Sequence, residues 1–154
     1  MNQEEMIAAV RDWLDNSNFS YKFDEDSKCI TMGFNLENRL KSVRVFVLFR
    51  SYHYLVYVVS PISGDPCNLG ELMKFLVRAN FGFVVGNFEL DVSSGEVRYK
   101  SYVNCEDLDN LPAGIIKESI CIGFQMMNRY GNGIAALAMG LSDADTEIDK
   151  AEKN

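Results

Sequence analysis

Val43-Arg44-Val45-Phe46-Val47-Leu48-Phe49-Arg50 and, after a short turn, Tyr54-Leu55-Val56-Tyr57-Val58-Val59 are the stretches that decide the fold. Val43, Val45, Val47 and Phe49 recur at every second residue, the period of a strand whose alternate side chains share a face. The other face of that strand carries Arg44, Phe46, Leu48 and Arg50. In the second stretch Tyr54, Val56 and Val58 oppose Leu55, Tyr57 and Val59. An antiparallel sheet with one wet face alternates apolar and polar residues more cleanly than this. Both faces are therefore expected to be covered. The cover on the second face is either a helix of the same chain or another protein, and Phe46, Leu48, Leu55 and Tyr57 are the candidate protein-binding or dimer-interface residues.

Upstream, Phe19, Tyr21 and Phe23 alternate with polar residues, as do Ile30, Met32, Phe34 and Leu36. Asp24-Glu25-Asp26-Ser27 and Glu37-Asn38-Arg39 supply turns. Four strands with connections this short make an antiparallel meander. Before it, Met6, Val10, Trp13 and Leu14 fall at helical spacing, and Asn16-Ser17-Asn18 stops that helix.

Downstream, the segment from Pro61 to Pro66 is a loop, and Asn68 with Glu71 has the spacing of a capping box. Leu69, Leu72, Met73, Leu76 and Val77 form the stripe of a second helix ending near Asn80. Phe81 to Val85 reads as the entry to a strand. Phe88, Leu90 and Val92, then Val97, Tyr99 and Ser101, flank Ser93-Ser94-Gly95 as a hairpin. Pro112 suits the first turn of a third helix, which carries Ile115, Ile116, Ile120 and Met126. Gly131-Asn132-Gly133 is expected to weaken or break it, with Ile134 to Leu141 resuming afterwards. The expected organisation is one α+β domain over residues 1–141, in the order α-ββββ-α-ββ-α. Residues 142–154 are expected to be an acidic tail, either a short helix or disordered.

Size and charge narrow the function. At 154 residues, 47% hydrophobic, the chain has the length and apolar content of one packed domain. A net charge of −7 repels polyanions at long range, which argues against nucleic acid and anionic membrane surfaces as partners. No run of 18 apolar residues occurs and the N-terminal residues lack a signal-peptide pattern, so a cytoplasmic protein is expected. Cys29, Cys67, Cys105 and Cys121 include no CxxC pair and read as packing cysteines.

Catalytic signals are missing. His53 is the single histidine and has no assignable triad partners. Asp143-x-Asp145-x-Glu147-x-Asp149 resembles a calcium loop only in part: Ile148 stands where the sharp turn needs glycine, and Asn154 where the bidentate glutamate belongs. It reads as a solvated acidic tail. Gly82 and Gly86, and Gly131 and Gly133, lack the lysine or the third glycine of a phosphate cradle. Met126, Met127 and Met139 read as core filling, with an adaptable groove as the alternative. No catalytic, cofactor-binding or metal-ligating residue is assigned.

The helix reaching Asn80, the segment Gly86-Asn87-Phe88-Glu89-Leu90-Asp91 and the strand Gly95-Glu96-Val97-Arg98-Tyr99 resemble the YbjN-type family of bacterial sensory-transduction regulators. That resemblance implies the fold of type III secretion chaperones, which are small acidic homodimers that bind extended segments of client proteins. It carries no catalytic residues. The expected function is thus a non-enzymatic protein-binding module, chaperone-like or regulatory, acting as a homodimer. The alternative is a regulatory or sensor domain holding a small ligand between sheet and helix.

Overall fold

A computed structural model describes residues 1–153. The elements run α1 (Gln3–Asn16), β1 (Lys22–Asp24), β2 (Cys29–Asn35), β3 (Ser42–Phe49), β4 (His53–Val59), α2 (Gly70–Asn80), β5 (Asn87–Leu90), β6 (Val97–Asn104), α3 (Ala113–Ala138) and α4 (Ala144–Glu152). Helix α1 starts where a full capping box forms: the Asn2 side chain accepts from Glu5 N, and the Glu5 carboxylate accepts from Asn2 N. Its buried stripe is Met6, Ile7, Val10 and Leu14. The first strand is shorter than its alternation predicts, starting only at Lys22, and upstream of it the Trp13 and Phe19 rings stack at 5.5 Å.

The meander forms as expected and joins a six-stranded antiparallel sheet of order β1-β2-β3-β4-β6-β5. After β4 the chain leaves through α2, returns as the edge strand β5, and β6 fills the place beside β4. Register is set at the β3–β4 hairpin, where Val45 faces Val58, Phe46 faces Tyr57 and Leu48 faces Leu55. Val43, Val45, Val47 and Phe49 of β3, with Tyr54, Val56 and Val58 of β4, are buried on the inner face. Helices α1 and α3 pack on that face, α2 packs beside β5, and α4 packs on α2 and α3. An aromatic cluster of Phe75, Phe83, Phe88, Tyr99 and Tyr130 ties sheet to helices, with ring centroids 5.0–6.0 Å apart. Every member except Phe83 is buried.

Several expectations are corrected. The Gly131-Asn132-Gly133 break is absent: α3 runs unbroken from Ala113 to Ala138. The glycines serve close approach. A Cβ on Gly133 would stand 2.5 Å from Phe75 Cζ and 3.2 Å from Glu147 Cβ, and one on Gly131 would stand 2.8 Å from Leu40 Cδ1. Tertiary packing against the loop after β2, α2 and α4 outweighs their low helix propensity. The Asn68 cap is absent as well: Leu69 is the N-cap of α2 and makes no side-chain cap bond. Glu71 instead accepts from Ala144 N at 2.7 Å and so caps a different helix, α4. Phe81 to Val85 is irregular and, after Gly86, enters β5 at Asn87, as expected.

The acidic tail is not simply solvated. Asp143 caps α4 by accepting from Thr146 N, and α4 buries Ala144, Glu147 and Ile148. Asn154 lies outside the described residues. Of the cysteines, all free, Cys105 is buried, Cys29 and Cys121 are half-buried, and Cys67 is exposed and packs nothing into the core. Met127 is core, as expected, while Met139 is exposed.

Gly133→Ala is expected to destabilise the chain by roughly 1–3 kcal/mol, since Phe75 sits in a closed core and must move. Gly114→Ala, in the same helix with open space where a Cβ would stand, is expected to be neutral or stabilising by up to about 1 kcal/mol. Urea denaturation of the two variants checks both.

Candidate functional site

The outer face of the sheet carries the side chains that alternate with the core. Cross-strand register places them in rows. One row runs Lys22, Thr31, Phe46, Tyr57, Lys100 and Asn87 across all six strands. Beside it lie Cys29, Leu48, Leu55 and Tyr102 in one direction, and Gly33, Arg44, Val59, Arg98 and Glu89 in the other. Phe46, Leu48, Leu55 and Tyr57, the four residues singled out from sequence, are brought together as two directly opposed pairs and are all half-buried. Among the described residues no helix packs on this face; the packed helix–strand pairs all involve the inner face or the β5 end.

Two guanidinium groups border the apolar pairs. Arg98 lies over the Tyr57 ring at 4.0 Å, and Arg44 over the Phe46 ring at 5.0 Å. Glu89 receives Arg98 Nε and Lys100 Nζ, each at 2.8 Å. Burial would raise the Glu89 pKa, but the bonds from Lys100 and Arg98 outweigh it and hold the carboxyl below its ordinary value. A cavity of about 320 Å³ opens between Arg44, Phe46, Tyr57, Val59 and Arg98.

A second apolar surface was not singled out from sequence. Met73 and Val77 on α2 and Phe81, just past its end, recur four residues apart and are 45%, 72% and 85% exposed, with Val84 beyond them at 97%. Their spacing was legible, and the sequence reading placed Met73 and Val77 in the buried stripe. The true buried stripe is Leu72, Phe75, Leu76 and Ala79. The exposed stripe lines a groove of about 720 Å³ against α4, crossed by the Lys74–Asp145 and Arg78–Glu152 ion pairs.

The remaining candidates have structural roles. Asp143 caps α4, Asp145 pairs with Lys74, Asp149 with Lys153, and Glu147, only 4% exposed, with Lys150. Those four carboxylates are thus individually committed and do not converge. His53 begins β4 between the Tyr52 and Tyr102 rings, at 5.3 and 5.1 Å. A polar cavity of about 360 Å³ between α3 and α4, with Arg39, Arg129 and Lys150 at its rim, is a concavity of small-ligand size. No helix of the described residues is long and apolar enough to cross a membrane.

No protein-family model matches the chain, and no curated protein sequence matches it. Among solved structures, a chain in the ExsC–ExsE complex superposes with a TM-score of 0.55 at 13% identity, covering 84% of this chain and 96% of that one. The fold is type III secretion chaperone-like. A chain of the HopA1–SchA chaperone–effector complex also aligns, with a TM-score of 0.47 at 14% identity over 86% of this chain and 98% of that one.

A carboxyl whose native pKa is lowered contributes stability that is present above its unfolded value and lost as pH falls through the native one. Glu89→Gln is therefore expected to melt below the wild type at pH 7, with the two curves converging in acid, as read by circular dichroism from pH 7 to pH 3.

Proposed function

We propose that the chain is a non-enzymatic protein-binding module that acts as a homodimer and holds an extended segment of another protein on the outer face of its sheet. One observation carries this reading: Phe46, Leu48, Leu55 and Tyr57 form a contiguous apolar surface on which no helix of the described chain packs. A contiguous apolar surface rimmed by charge is the usual mark of an interaction site. The opposed pairs are only half-buried, so they present shallow troughs between strands, suited to alternate side chains of an extended peptide. The chaperone-like fold and the appearance of similar chains in complexes with protein partners support the same role. The hairpin's resemblance to YbjN-type regulators fits a regulatory use of that binding.

The α2 stripe is the proposed dimer seam. Val77 of α2 and Phe81 just past its end stand out into water, with Met73 half-exposed beside them, and fully burying an exposed side chain of this kind contributes up to about 1.5–3 kcal/mol. Cations of α2 and anions of α4 flank the stripe together.

The wild type is expected to have the mass of a dimer by light scattering, and Val77→Asp with Phe81→Asp that of a monomer with an unchanged circular-dichroism spectrum. A monomeric wild type would remove the seam from this proposal. For the sheet face, peptides selected from a random displayed library against the wild type are expected to lose binding to Leu48→Asp and Leu55→Asp. Peptides that bind those variants as well as the wild type would place the binding surface elsewhere.

A further inference from the structure

We infer that the outer-face site takes a segment of apolar-x-apolar-x-acidic pattern: two apolar side chains followed, two residues later, by a carboxylate. The inference rests on the proposed use of that face and names the chemistry of its occupant. Its basis is the charge of the site set against the charge of the chain.

The chain carries −7 overall, yet its outer sheet face is positive. Lys22, Arg44, Arg98 and Lys100 lie on it in register, against Asp24 and Glu89, with Glu96 at one end of the cavity. Glu89 alone serves both Arg98 and Lys100, so that trio keeps one positive charge. Asp24 is engaged by the turn, where it accepts from Asp26 N and Ser27 N. Arg44 is exposed and forms no ion pair among the described residues; its guanidinium is held over Phe46 at 5.0 Å. A guanidinium held over an aromatic ring, with no carboxylate partner of its own, has N–H donors left for a carboxylate, and its planar fork matches that group.

Geometry sets the order of the occupant's side chains. Leu48 with Leu55, then Phe46 with Tyr57, then Arg44 with Val59 are successive rows two residues apart along the strands. Two residues of an extended chain advance about 6.6 Å, and an extended segment laid along the face repeats its own downward side chains at the same interval. Its first such side chain meets the leucine row and its second the aromatic row. The third arrives between Arg44 and Arg98, where an apolar side chain would desolvate two cations and a lysine would meet like charge. A carboxylate there is attracted by both.

Fluorescein-labelled peptides Gly-Ser-Leu-Thr-Leu-Thr-X-Ser-Gly, with X as Glu, Ser or Lys, test this by fluorescence anisotropy on the full chain at low and high salt. The expected order of affinity at low salt is Glu, then Ser, then Lys, with about two- to five-fold between neighbours, the size of one exposed ion pair. The order should compress at high salt. Arg44→Ala is expected to narrow the gap between the Glu and Ser peptides and Arg44→Glu to reverse the order; Arg44 is exposed, so both variants should fold. Leu48→Asp is expected to lose all three peptides. Equal affinity of the three peptides in wild type and Arg44→Glu, with binding still lost in Leu48→Asp, overturns the acidic preference and leaves the binding face standing. Absence of binding by every peptide overturns both.

Discussion

This sheet has two apolar faces, and the described chain packs helices on only one of them. Val43, Val45, Val47 and Phe49, with Tyr54, Val56 and Val58, are sealed under α1 and α3. That layer includes Tyr54 and Phe49, two of the largest fully buried side chains. The hydroxyl of Tyr54 meets Ser119 of α3 at 2.9 Å, and Ser101 of β6 donates to the Ser119 carbonyl at 2.7 Å. Helix α3 is thereby located on the sheet by hydrogen bonds as well as by packing, and buried hydroxyls that share partners fix one arrangement where apolar contact alone would allow several. With the inner face so ordered, alternation along β3 and β4 leaves Phe46, Leu48, Leu55 and Tyr57 with no choice but the other side.

The two apolar surfaces left open differ in form. The α2 stripe is strongly exposed and forms one wall of the groove against α4, with ion pairs along its flank. The sheet face is shallow, bordered by cations stacked on its aromatic rings, and positive within an acidic chain. A helix stripe suits a second rigid surface, and a row of troughs suits a flexible extended segment. The acidic balance of the chain, which argues against polyanions at long range, therefore coexists with a local site whose chemistry favours a carboxylate at short range.

The C-terminal acidic segment shows how local appearance misleads. Its carboxylates alternate in the manner of a metal loop or a solvated tail, yet each is committed to a cap or a lysine. Docking of α4 depends on residues remote in sequence: Glu71 caps its N-terminus, Arg78 holds Glu152, and Arg129 donates to the Ala151 carbonyl. Gly133 provides the space in which Phe75 and Glu147 meet α3.

Period-two alternation from Ile30 to Val59, turn residues at Asp24 and Gly95, and the helical stripes of α1 and α3 determined by themselves that this is an α+β chain with a meander and a hairpin. They do so because side-chain direction in strands and helices follows from backbone geometry within a few residues. The apolar character of Phe46, Leu48, Leu55 and Tyr57 was legible for the same reason. Whether a helix would cover them was not, since cover depends on where α2 and α3 pack, and that is settled by contacts between residues far apart in the chain. The exposed side of α2 was hidden likewise: Met73 and Val77 fit a buried stripe by spacing, and only the position of the aromatic cluster turns Phe75 inward and Met73 out. The continuity of α3 through Gly131 and Gly133 was decided by tertiary structure alone, because close approach between neighbours, and not intrinsic propensity, is what those glycines serve.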